Sequence, residues 1–302
     1  MDTAFIDAAS VNRQLTPALA IAALERAFVA LDRGEIGPSH SLGLPATAGS
    51  FHVKACASTV AGGIFVAKVN ANFPGNPPRG LPTIQGVIAV FDAFDGRVLA
   101  MVDSGSITNL RTAAATMLVV QRLAREGAKA ASIVGCGAQG AAHARLILDA
   151  TPIRELRLFD DDPVRAARLA GELGARACAK MSEATIASDV VITCTPSTRP
   201  FLGIDDVKSG TLVPAVGSDN DHKLEVKPDL LAAARLVTDS TAQCEKMGEL
   251  KQRLPGPARI CGELVDVVAG RIARTRADEV VVFDSTGMAV EDLALCAALL
   301  GR

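Results

Sequence analysis

The sequence predicts an α/β protein with two domains, one built on a mostly antiparallel sheet and the other on a doubly wound parallel sheet. The length of 302 residues is about twice the roughly 150 residues of a single domain. Residues 36–99 hold short runs rich in Val, Ile and Phe between turns rich in Gly, Pro and Asn, a pattern typical of antiparallel strands. Beyond Gly127, apolar strands alternate with helices, as they do in a parallel sheet covered on both faces.

The composition excludes several classes of protein. With 49% hydrophobic and 21% charged residues, the chain is predicted to be globular. A net charge of -2 and the lack of Trp and Tyr offer nucleic acid neither a basic surface nor a stacking platform. No apolar stretch reaches the roughly 20 residues that span a bilayer, and Met1–Ser10 contains Asp2 and no basic residue, unlike a signal peptide. We therefore expect a cytoplasmic protein with no nucleic-acid or membrane partner.

The residue types that bind metals are scattered along the chain. The seven cysteines occur singly without a CxxC pair, which predicts reduced, mostly buried thiols. The four histidines show no ligand spacing. No metal site is predicted.

The first domain begins with an amphipathic helix. Thr16 is predicted to cap it, Pro17 suits its first turn, and Gly34 ends it. The predicted strands follow at Phe51–Cys56, Gly63–Asn70, Gly86–Asp92 and Arg97–Val102, the last pair joined by a hairpin turn at Asp95-Gly96.

A long apolar helix over residues 109–125, with Gly127 as its C-terminal cap, is predicted to connect the two domains. In this interpretation Thr108 is the N-cap and Arg111 lies in the first turn. The helix dipole disfavours a cation there, so Arg111 is predicted to bind an anion such as a carboxylate. The alternative is an ion pair with a nearby Asp such as Asp103.

Lys68 lies in the middle of an apolar strand. A lysine in such a run either extends from an edge strand into solvent or points into a site, and the sequence leaves both open.

The second domain is predicted from six strands and three helices. The strands are Ala131–Val134, Glu155–Phe159, Val190–Cys194, Leu212–Val216, Leu236–Thr238 and Val280–Phe283, and the helices are Gln139–Ala150, Pro163–Leu173 and Lys227–Ala234. A final apolar helix over Glu291–Leu300 must pack back onto another element.

A glycine motif follows the first of these strands. The sequence Gly135-Cys136-Gly137-Ala138-Gln139-Gly140 fits G-x-G-x-x-G, in which the first glycine makes the turn, the second lets the backbone approach a pyrophosphate and the third lets helix and strand pack closely. With 26 glycines the motif would arise by chance roughly 0.2 times in such a chain. The strand before it, the helix after it and Asp160 twenty residues beyond it favour a Rossmann-type dinucleotide site over an ordinary turn.

The predicted cofactor is NAD, with NADP as the alternative. Asp160, Asp161 and Asp162 would accept hydrogen bonds from the ribose hydroxyls and repel a 2′-phosphate, whereas Arg165 nearby weakens that preference.

Two loops follow strands of the parallel sheet, where ligands bind in doubly wound folds. Asp219 and Lys223 lie in the loop after the fourth strand, and Thr195 follows the third. Gly, Ser, Asp and Asn are also ordinary turn residues, so a plain turn is the alternative interpretation.

Several motifs together resemble the ornithine cyclodeaminase/mu-crystallin family over nearly the whole length. They are Lys68-Val69-Asn70 with Pro74-Gly75-Asn76, Leu81-Pro82-Thr83 with Gly86, Leu110-Arg111-Thr112-Ala113-Ala114, the glycine motif preceded by Val134, Ala215-Val216-Gly217-Ser218-Asp219 with Lys223 and Glu225, and Phe283-Asp284-Ser285-Thr286-Gly287.

The resemblance implies an NAD(P)-dependent enzyme that acts at the C–N bond of an amino or imino acid and works as a homodimer. It implies a substrate-binding and dimerisation domain, which we place at residues 1–111 plus 287–302, and a dinucleotide-binding domain at residues 112–286. Lys68 and Arg111 would bind the substrate carboxylate together with His40 and Thr286, and Asp219 would be the acid/base, a role that Lys68 could share. The residues implied to bind the cofactor are Thr83, Arg111, Gly135, Gly137, Ala138, Gln139, Gly140, Asp160, Thr195, Val216, Lys223 and Ser285.

Two departures from the family pattern narrow the expected activity. His40 stands where family members usually have an arginine, and no Asp or Glu occurs between Ile36 and Phe91, where cyclodeaminases hold the side-chain ammonium of ornithine. We therefore expect a reductase of a cyclic imino acid such as pyrroline- or piperideine-2-carboxylate. The alternatives are an ornithine cyclodeaminase, an alanine dehydrogenase and a nucleotide-bound binding protein of low activity.

Overall fold

The computed structural model describes residues 3–60 and 63–302. Asp2, on which the signal-peptide argument partly rests, lies outside these residues. The strands are β1 (Ala4–Ile6), β2 (His40–Ala46), β3 (Gly49–Ala57), β4 (Ile64–Asn72), β5 (Ile84–Asp92), β6 (Val98–Asp103), β7 (Ala130–Val134), β8 (Glu155–Phe159), β9 (Arg176–Ala177), β10 (Val190–Thr193), β11 (Leu212–Ala215), β12 (Arg235–Thr238), β13 (Ile260–Glu263) and β14 (Val281–Asp284). The α-helices are α1 (Ala8–Gln14), α2 (Pro17–Asp32), α3 (Ser104–Leu123), α4 (Ala138–Ala150), α5 (Pro163–Leu173), α6 (Met181–Thr185), α7 (Pro228–Ala233), α8 (Thr241–Met247), α9 (Leu264–Val268) and α10 (Ala289–Leu299).

The chain forms two compact units. The first unit comprises Met1–Arg111 and Met288–Arg302, and the second comprises Thr112–Gly287. The boundary therefore falls inside α3 and again immediately before α10, so that both ends of the chain belong to the first unit.

The first unit contains a mixed sheet with the strand order β1-β6-β5-β4-β3-β2 among the described residues. Only the short β1 pairs in parallel; the other neighbours are antiparallel, as the sequence predicts. The sequence analysis missed β2, which contains Gly43 and Pro45. Its place at the sheet edge explains why a strand tolerates this proline, since one side of an edge strand donates no ladder hydrogen bonds.

One face of this sheet is packed and the other carries exposed apolar side chains. Along β4, Ile64, Val66 and Lys68 are buried, and α10 packs against β3, β4 and α2. The predicted final helix and its return onto another element are confirmed. Val69, which points to the opposite face by the two-residue repeat of a strand, is 39% exposed.

The second unit is a doubly wound parallel sheet, which confirms the predicted fold class. Its strand order is β13-β12-β14-β11-β10-β7-β8-β9, and neighbouring strands pair in parallel throughout the described part of this sheet. The strands supply a buried apolar core that includes Val134, Val191, Val213, Leu236 and Val282.

The connecting helix begins earlier than the sequence predicts. Helix α3 starts at Ser104, and the carboxylate of Asp103 accepts a hydrogen bond from the N–H of Ser106 at 2.8 Å, as an N-cap residue does. The prediction that Thr108 is the N-cap and that Arg111 lies in the first turn is therefore wrong. Arg111 is the eighth helical residue, beyond the range of the N-terminal dipole.

The thiols follow the expectation from sequence. Cys194 is partly exposed and Cys261 is exposed, whereas the other five cysteines are buried, and all seven are free.

No single helix among the described residues has both the length and the hydropathy to cross a bilayer. Helices α1 and α2 satisfy a test of length and composition only when taken together, and the chain bends by 85° between them.

Candidate functional site

Lys68 is a buried cation on β4 in the first unit. Its Nζ donates to Oδ1 of Asp292 on α10 at 2.9 Å and lies 2.7 Å from Oδ2 of the same carboxylate. Burial lowers the pKa of Lys68 to about 8, an effect that Asp292 opposes and that the charges of Arg111 and Lys54 reinforce. Lys68 is therefore buried within the unit and does not extend from an edge strand into solvent.

Arg111 converges on the same carboxylate. Its Nη1 donates to Oε2 of Glu291, and its Nε lies 3.3 Å from Oδ1 of Asp292. Both acidic side chains are fully buried, and the two cationic side chains are almost fully buried. The four groups form a neutral cluster, which we call the quartet, in which the cations Lys68 and Arg111 meet at Asp292. The ion pairs of Arg111 are with Glu291 and Asp292 of α10 instead of the nearby Asp103 that the sequence suggests.

One face of α3 lines this cluster. Ser104 donates to Oδ1 of Asn70 at 2.6 Å, and Thr108 accepts from Lys68 at 3.4 Å. These residues and Arg111 are spaced four and three positions apart, so they share one side of the helix. Asn70 and Lys68 are two positions apart on β4 and share one face of the sheet.

Sequence analysis missed Glu291 and Asp292. Two adjacent acidic residues at the start of an apolar helix are a signal that could have identified them, because a charge in a buried helix needs a partner. The partners are distant in the sequence: Asp292 lies 224 positions from Lys68, and Glu291 lies 180 positions from Arg111.

Two other predicted residues of the first unit are His40, the first residue of β2, and Thr83, which precedes β5. His40 is exposed and pairs with Ala55, whereas Lys54, the neighbour of Ala55, pairs with Lys68. Successive strand residues alternate between faces, so His40 points to the face opposite Lys68, and its expected place beside the carboxylate-binding cations is wrong. Thr83 precedes β5 and its carbonyl accepts from Phe73 at 2.8 Å.

The glycine motif in the second unit has the backbone geometry that a dinucleotide requires. Gly135 has a φ of +97°, and a Cβ at Gly140 would overlap the carbonyl oxygen of Gly135. A Cβ at Gly137 would meet open space, and Gly137 is the N-cap of α4 without a side chain to cap the first N–H groups. Ala138 and Gln139 form that first turn. These N–H groups and the helix dipole suit an anion.

Asp160 lies at the end of β8 and is tied to the glycine turn. Its Oδ2 accepts from the N–H of Cys136 at 2.7 Å, and its Oδ1 accepts from the N–H of Asp162 at 2.9 Å and from Arg165 at 3.1 Å. Arg165 also lies 3.5 Å from Asp162. Two carboxylates therefore face the one guanidinium near the predicted ribose site.

Glu225 joins the ends of β10 and β11. Its carboxylate accepts from the N–H and hydroxyl of Thr195 at 2.6 and 2.7 Å, from the hydroxyl of Thr193 at 2.7 Å and from the N–H of Gly217 at 2.8 Å. Burial raises the pKa of Glu225, which these hydrogen bonds oppose. Val216 between these strand ends is buried, and its N–H donates to Thr193. Glu225 thereby fixes Thr195 and the start of the loop that carries Asp219.

That loop brings two predicted residues together. Asp219 is nearly half exposed and accepts from Nζ of Lys223 at 2.8 Å. The sequence analysis missed Lys251, which holds this loop by hydrogen bonds. Its Nζ donates to the hydroxyl of Ser218 at 3.1 Å and to the carbonyl of Asn220 at 2.8 Å.

Ser285 and Thr286 follow β14 and are held by Asp239. The N–H of Thr286 donates to Asp239 at 2.6 Å, the hydroxyl of Ser285 lies 3.5 Å from the same carboxylate, and the Thr286 hydroxyl donates to Asp239 at 3.0 Å while it accepts from Gln243 at 2.6 Å. Thr286 is only 2% exposed. Its hydroxyl thus serves this buried network, which argues against the expected substrate contact.

No group of three or more His, Cys, Asp and Glu side chains suited to a metal ion occurs within residues 3–60 and 63–302.

We predict that Asp292→Asn lowers the pKa of Lys68 below its value of about 8, by roughly one unit or more, because an opposite charge in contact is lost. The 13Cε resonance of Lys68 in lysine-labelled protein, assigned with Lys68→Met, measures this pKa directly. Glu291→Gln is the matched control, since it removes an equal charge that pairs with Arg111 instead. An unchanged Lys68 titration in Asp292→Asn would show that Asp292 does not set the charge of Lys68.

Comparison with known proteins places this geometry in a family. The model of the ornithine cyclodeaminase/mu-crystallin family matches residues 1–300. The iminosuccinate reductase of Paracoccus denitrificans is 33% identical over 240 residues, which cover 77% of this chain and 75% of that protein.

Solved structures agree with this match. The crystal structure of that reductase in complex with NAD+ has a TM-score of 0.88 at 28% identity and covers 99% of this chain and 95% of its own. An archaeal alanine dehydrogenase dimer with bound NAD has a TM-score of 0.92 at 27% identity and covers 100% of this chain and 96% of its own. The chain belongs to the ornithine cyclodeaminase/mu-crystallin family.

Proposed function

We propose that this protein is an NAD-dependent oxidoreductase that reduces the C=N bond of an imino acid to an amine, with a cyclic substrate such as pyrroline- or piperideine-2-carboxylate. The observation that carries the proposal is the convergence of Lys68 and Arg111 on one carboxylate. Two buried cations that already bind the carboxylate of Asp292 are suited to a second carboxylate, that of the substrate.

The second unit would hold the cofactor. Gly137 and the first turn of α4 would contact the pyrophosphate, and Asp160 would lie by the adenosine ribose. Thr195, Val216, Lys223 and Ser285, at the carboxyl ends of parallel strands, would line the rest of the site in this unit. When bound, the reduced nicotinamide supplies a hydride to the imine carbon.

The charges near Asp160 favour NAD over NADP. Asp160 and Asp162 both lie within ion-pair distance of Arg165. Because these two carboxylates already balance its charge, Arg165 offers little attraction to the 2′-phosphate of NADP.

Asp219 is the candidate proton donor to the imine nitrogen. Reduction of a C=N bond requires one proton at nitrogen for each hydride at carbon, and a carboxyl group that is partly exposed can exchange its proton with water. Glu225 and Lys251 are positioning residues for Asp219, because Glu225 accepts from the N–H of Gly217 before it and Lys251 donates to the carbonyls of Asn220 and Lys223 after it.

Ornithine cyclodeamination is the second candidate reaction. It needs a carboxylate for the side-chain ammonium, yet β2–β5 contain no Asp or Glu before Asp92, and Asp92 pairs with Arg302 at 3.0 Å. This arrangement disfavours a diamino acid as the substrate.

A screen of NADH oxidation tests the proposal. We expect turnover with pyrroline-2-carboxylate or piperideine-2-carboxylate, weaker turnover with pyruvate and ammonia, and no release of ammonia from ornithine with catalytic NAD. Asp219→Asn should lower kcat by about 100-fold or more, because the proton donor is lost, and leave NADH affinity within about threefold.

Asp221→Asn provides the control, since Asp221 lies in the same loop and pairs with His222. Release of ammonia from ornithine would identify a cyclodeaminase, absence of turnover with tight NADH binding would identify a binding protein, and full activity of Asp219→Asn would remove Asp219 from the mechanism.

Two glycine variants test the cofactor site. Gly137→Ala should leave the melting temperature within about one degree, because its Cβ meets open space, and weaken NADH binding about tenfold or more, because the methyl group blocks the pyrophosphate. Gly140→Ala should lower the melting temperature by several degrees, because its Cβ overlaps the carbonyl of Gly135. Calorimetry and NADH titration measure both effects, and normal NADH affinity in Gly137→Ala would contradict the assignment.

We also infer a homodimer formed through the outer face of the first unit's sheet. Leu42, Leu44, Phe51 and Val69 are 56%, 49%, 40% and 39% exposed, and the strand register places all four on the face opposite Lys68. A contiguous apolar patch of this kind is typical of protein interfaces. His40 lies on the same face.

The double variant Leu42→Glu/Val69→Lys should therefore be a monomer in light scattering, whereas the natural protein should have twice the chain mass of 31.2 kDa. Val164→Lys, at a 75% exposed apolar residue of the second unit, should leave the dimer intact. A dimeric double variant would place the interface elsewhere.

A further inference from the structure

Two hydrogen bonds connect β4 with the first turns of α3. The amide oxygen of Asn70 accepts from the hydroxyl of Ser104 at 2.6 Å, and Nζ of Lys68 donates to the hydroxyl of Thr108 at 3.4 Å. Lys68 and Asn70 are two residues apart on the strand, a rise of about 6.7 Å. Ser104 and Thr108 are four residues apart on the helix, a rise of about 6 Å. The two connections therefore run side by side, and the amide of Asn70 is the neighbour of the Lys68 side chain.

Gly86 makes room for the hydrogen bond between Asn70 and Ser104. It is directly opposite Asn70 in the antiparallel register of β4 and β5. A Cβ at Gly86 would overlap the amide oxygen of Asn70 and would lie 2.8 Å from the hydroxyl oxygen of Ser104. The lack of a side chain at this position thus lets α3 approach the sheet closely enough for the hydrogen bond to form.

This hydrogen bond fixes the direction in which the amide of Asn70 faces. Its length of 2.6 Å fits an O–H donor on an oxygen acceptor, for which about 2.5–3.0 Å is usual, and is short for an N–H donor, for which about 2.7–3.2 Å is usual. The amide oxygen therefore faces Ser104, which is fully buried. The NH2 group, with its two N–H donors, points away from Ser104.

The NH2 group of Asn70 is accessible to a ligand. Within residues 3–60 and 63–302, the hydrogen bond with Ser104 is the one that the Asn70 side chain makes. Asn70 is partly exposed, whereas Lys68 beside it is buried. Because the amide oxygen is occupied, the side chain offers a neutral donor, which suits the oxygen of an anion and not an ammonium group.

We propose that the NH2 group of Asn70 binds the carboxylate of the cyclic imino acid together with Lys68 and Arg111. Ser104 is the positioning residue that turns this NH2 group toward the ligand. The inference rests on the proposed function and adds a neutral donor to its two cations. A carboxylate that accepts a hydrogen bond of about 2.9 Å at each oxygen connects donors up to about 8 Å apart, which covers the spacing along β4. Donors from both β4 and α3 would orient the planar carboxylate and, with it, the imine carbon to which it is attached.

Two substitutions of Asn70 distinguish a ligand contact from a structural role. Asn70→Ala removes the donor, so KM for pyrroline-2-carboxylate or piperideine-2-carboxylate should rise about tenfold or more while kcat stays within about threefold. Asn70→Asp keeps the shape and the acceptor for Ser104, but replaces the NH2 group by an oxygen whose negative charge repels a carboxylate. Asn70→Asp should therefore raise KM more than Asn70→Ala does. A purely structural role predicts the opposite order.

Ser104→Ala tests the positioning role. Without the hydroxyl of Ser104 the amide of Asn70 can rotate, so KM should rise about threefold. In the double variant Ser104→Ala/Asn70→Ala, KM should equal that of Asn70→Ala alone, because both residues act through one contact. Additive increases would show that Ser104 does not act through Asn70.

Binding provides a readout that does not depend on turnover. We expect calorimetric titration of the NADH-loaded protein with L-proline and with L-pipecolate, the two expected products, to show about tenfold weaker binding in Asn70→Ala at unchanged NADH affinity. Asn72→Ala is the matched control and should change neither KM nor product affinity. Asn72 is a partly exposed asparagine on the same face of β4, two residues farther from Lys68. If Asn70→Ala does not fold, Asn70→Asp, which retains the bond to Ser104, is compared with the natural protein.

The outcomes separate this inference from the proposed function. Unchanged KM and product affinity in the Asn70 variants, or a smaller effect of Asn70→Asp than of Asn70→Ala, would overturn the role of Asn70 and leave the reductase intact. Product binding that depends on Asn70, with no oxidation of NADH by any imine, would support the carboxylate contact and overturn the reductase. Neither turnover nor product binding would overturn both.

Discussion

The quartet of Lys68, Arg111, Glu291 and Asp292 is the constraint on which the first unit depends. Moving an isolated charge out of water into a protein interior costs several kcal/mol, so each buried cation requires a buried anion with good geometry. Both anions come from α10, at the C-terminal end of the chain. The last helix must therefore return to the sheet formed by the first hundred residues, and the first unit is built from both ends of the chain.

The quartet also connects stability with the proposed chemistry. Apolar residues of equal volume would pack this region at lower cost, because desolvated ion pairs contribute little to folding. The structure instead holds a lysine whose pKa is about 8 beside a guanidinium. Asn70, the next residue on the same face of β4, is partly exposed. Groups with shifted pKa values are concentrated at functional sites. The Asp292 carboxylate demonstrates within the protein the interaction that we propose for the substrate.

The second unit uses acidic residues differently. Glu225 accepts hydrogen bonds from backbone N–H groups and hydroxyls at the ends of two neighbouring strands, and Asp239 does the same for the loop after β14. These carboxylates pair with dipoles instead of cations. Each one fixes a loop at the carboxyl edge of the parallel sheet, which is the edge where doubly wound folds bind ligands.

The sequence by itself determined the features that depend on neighbours along the chain. The cap at Thr16, the alternation of strands and helices, the glycine turn and the bounds of α5 follow from local propensity and spacing, and the structure agrees with each. The tertiary structure decided the rest. Helix α3 begins at Ser104 because Asp103 caps it, and a strand register that alternates faces puts His40 on the side opposite Lys68. The partners of Lys68 and Arg111 lie 224 and 180 positions away, and no local pattern specifies such a pairing, because it forms only when the whole unit has folded.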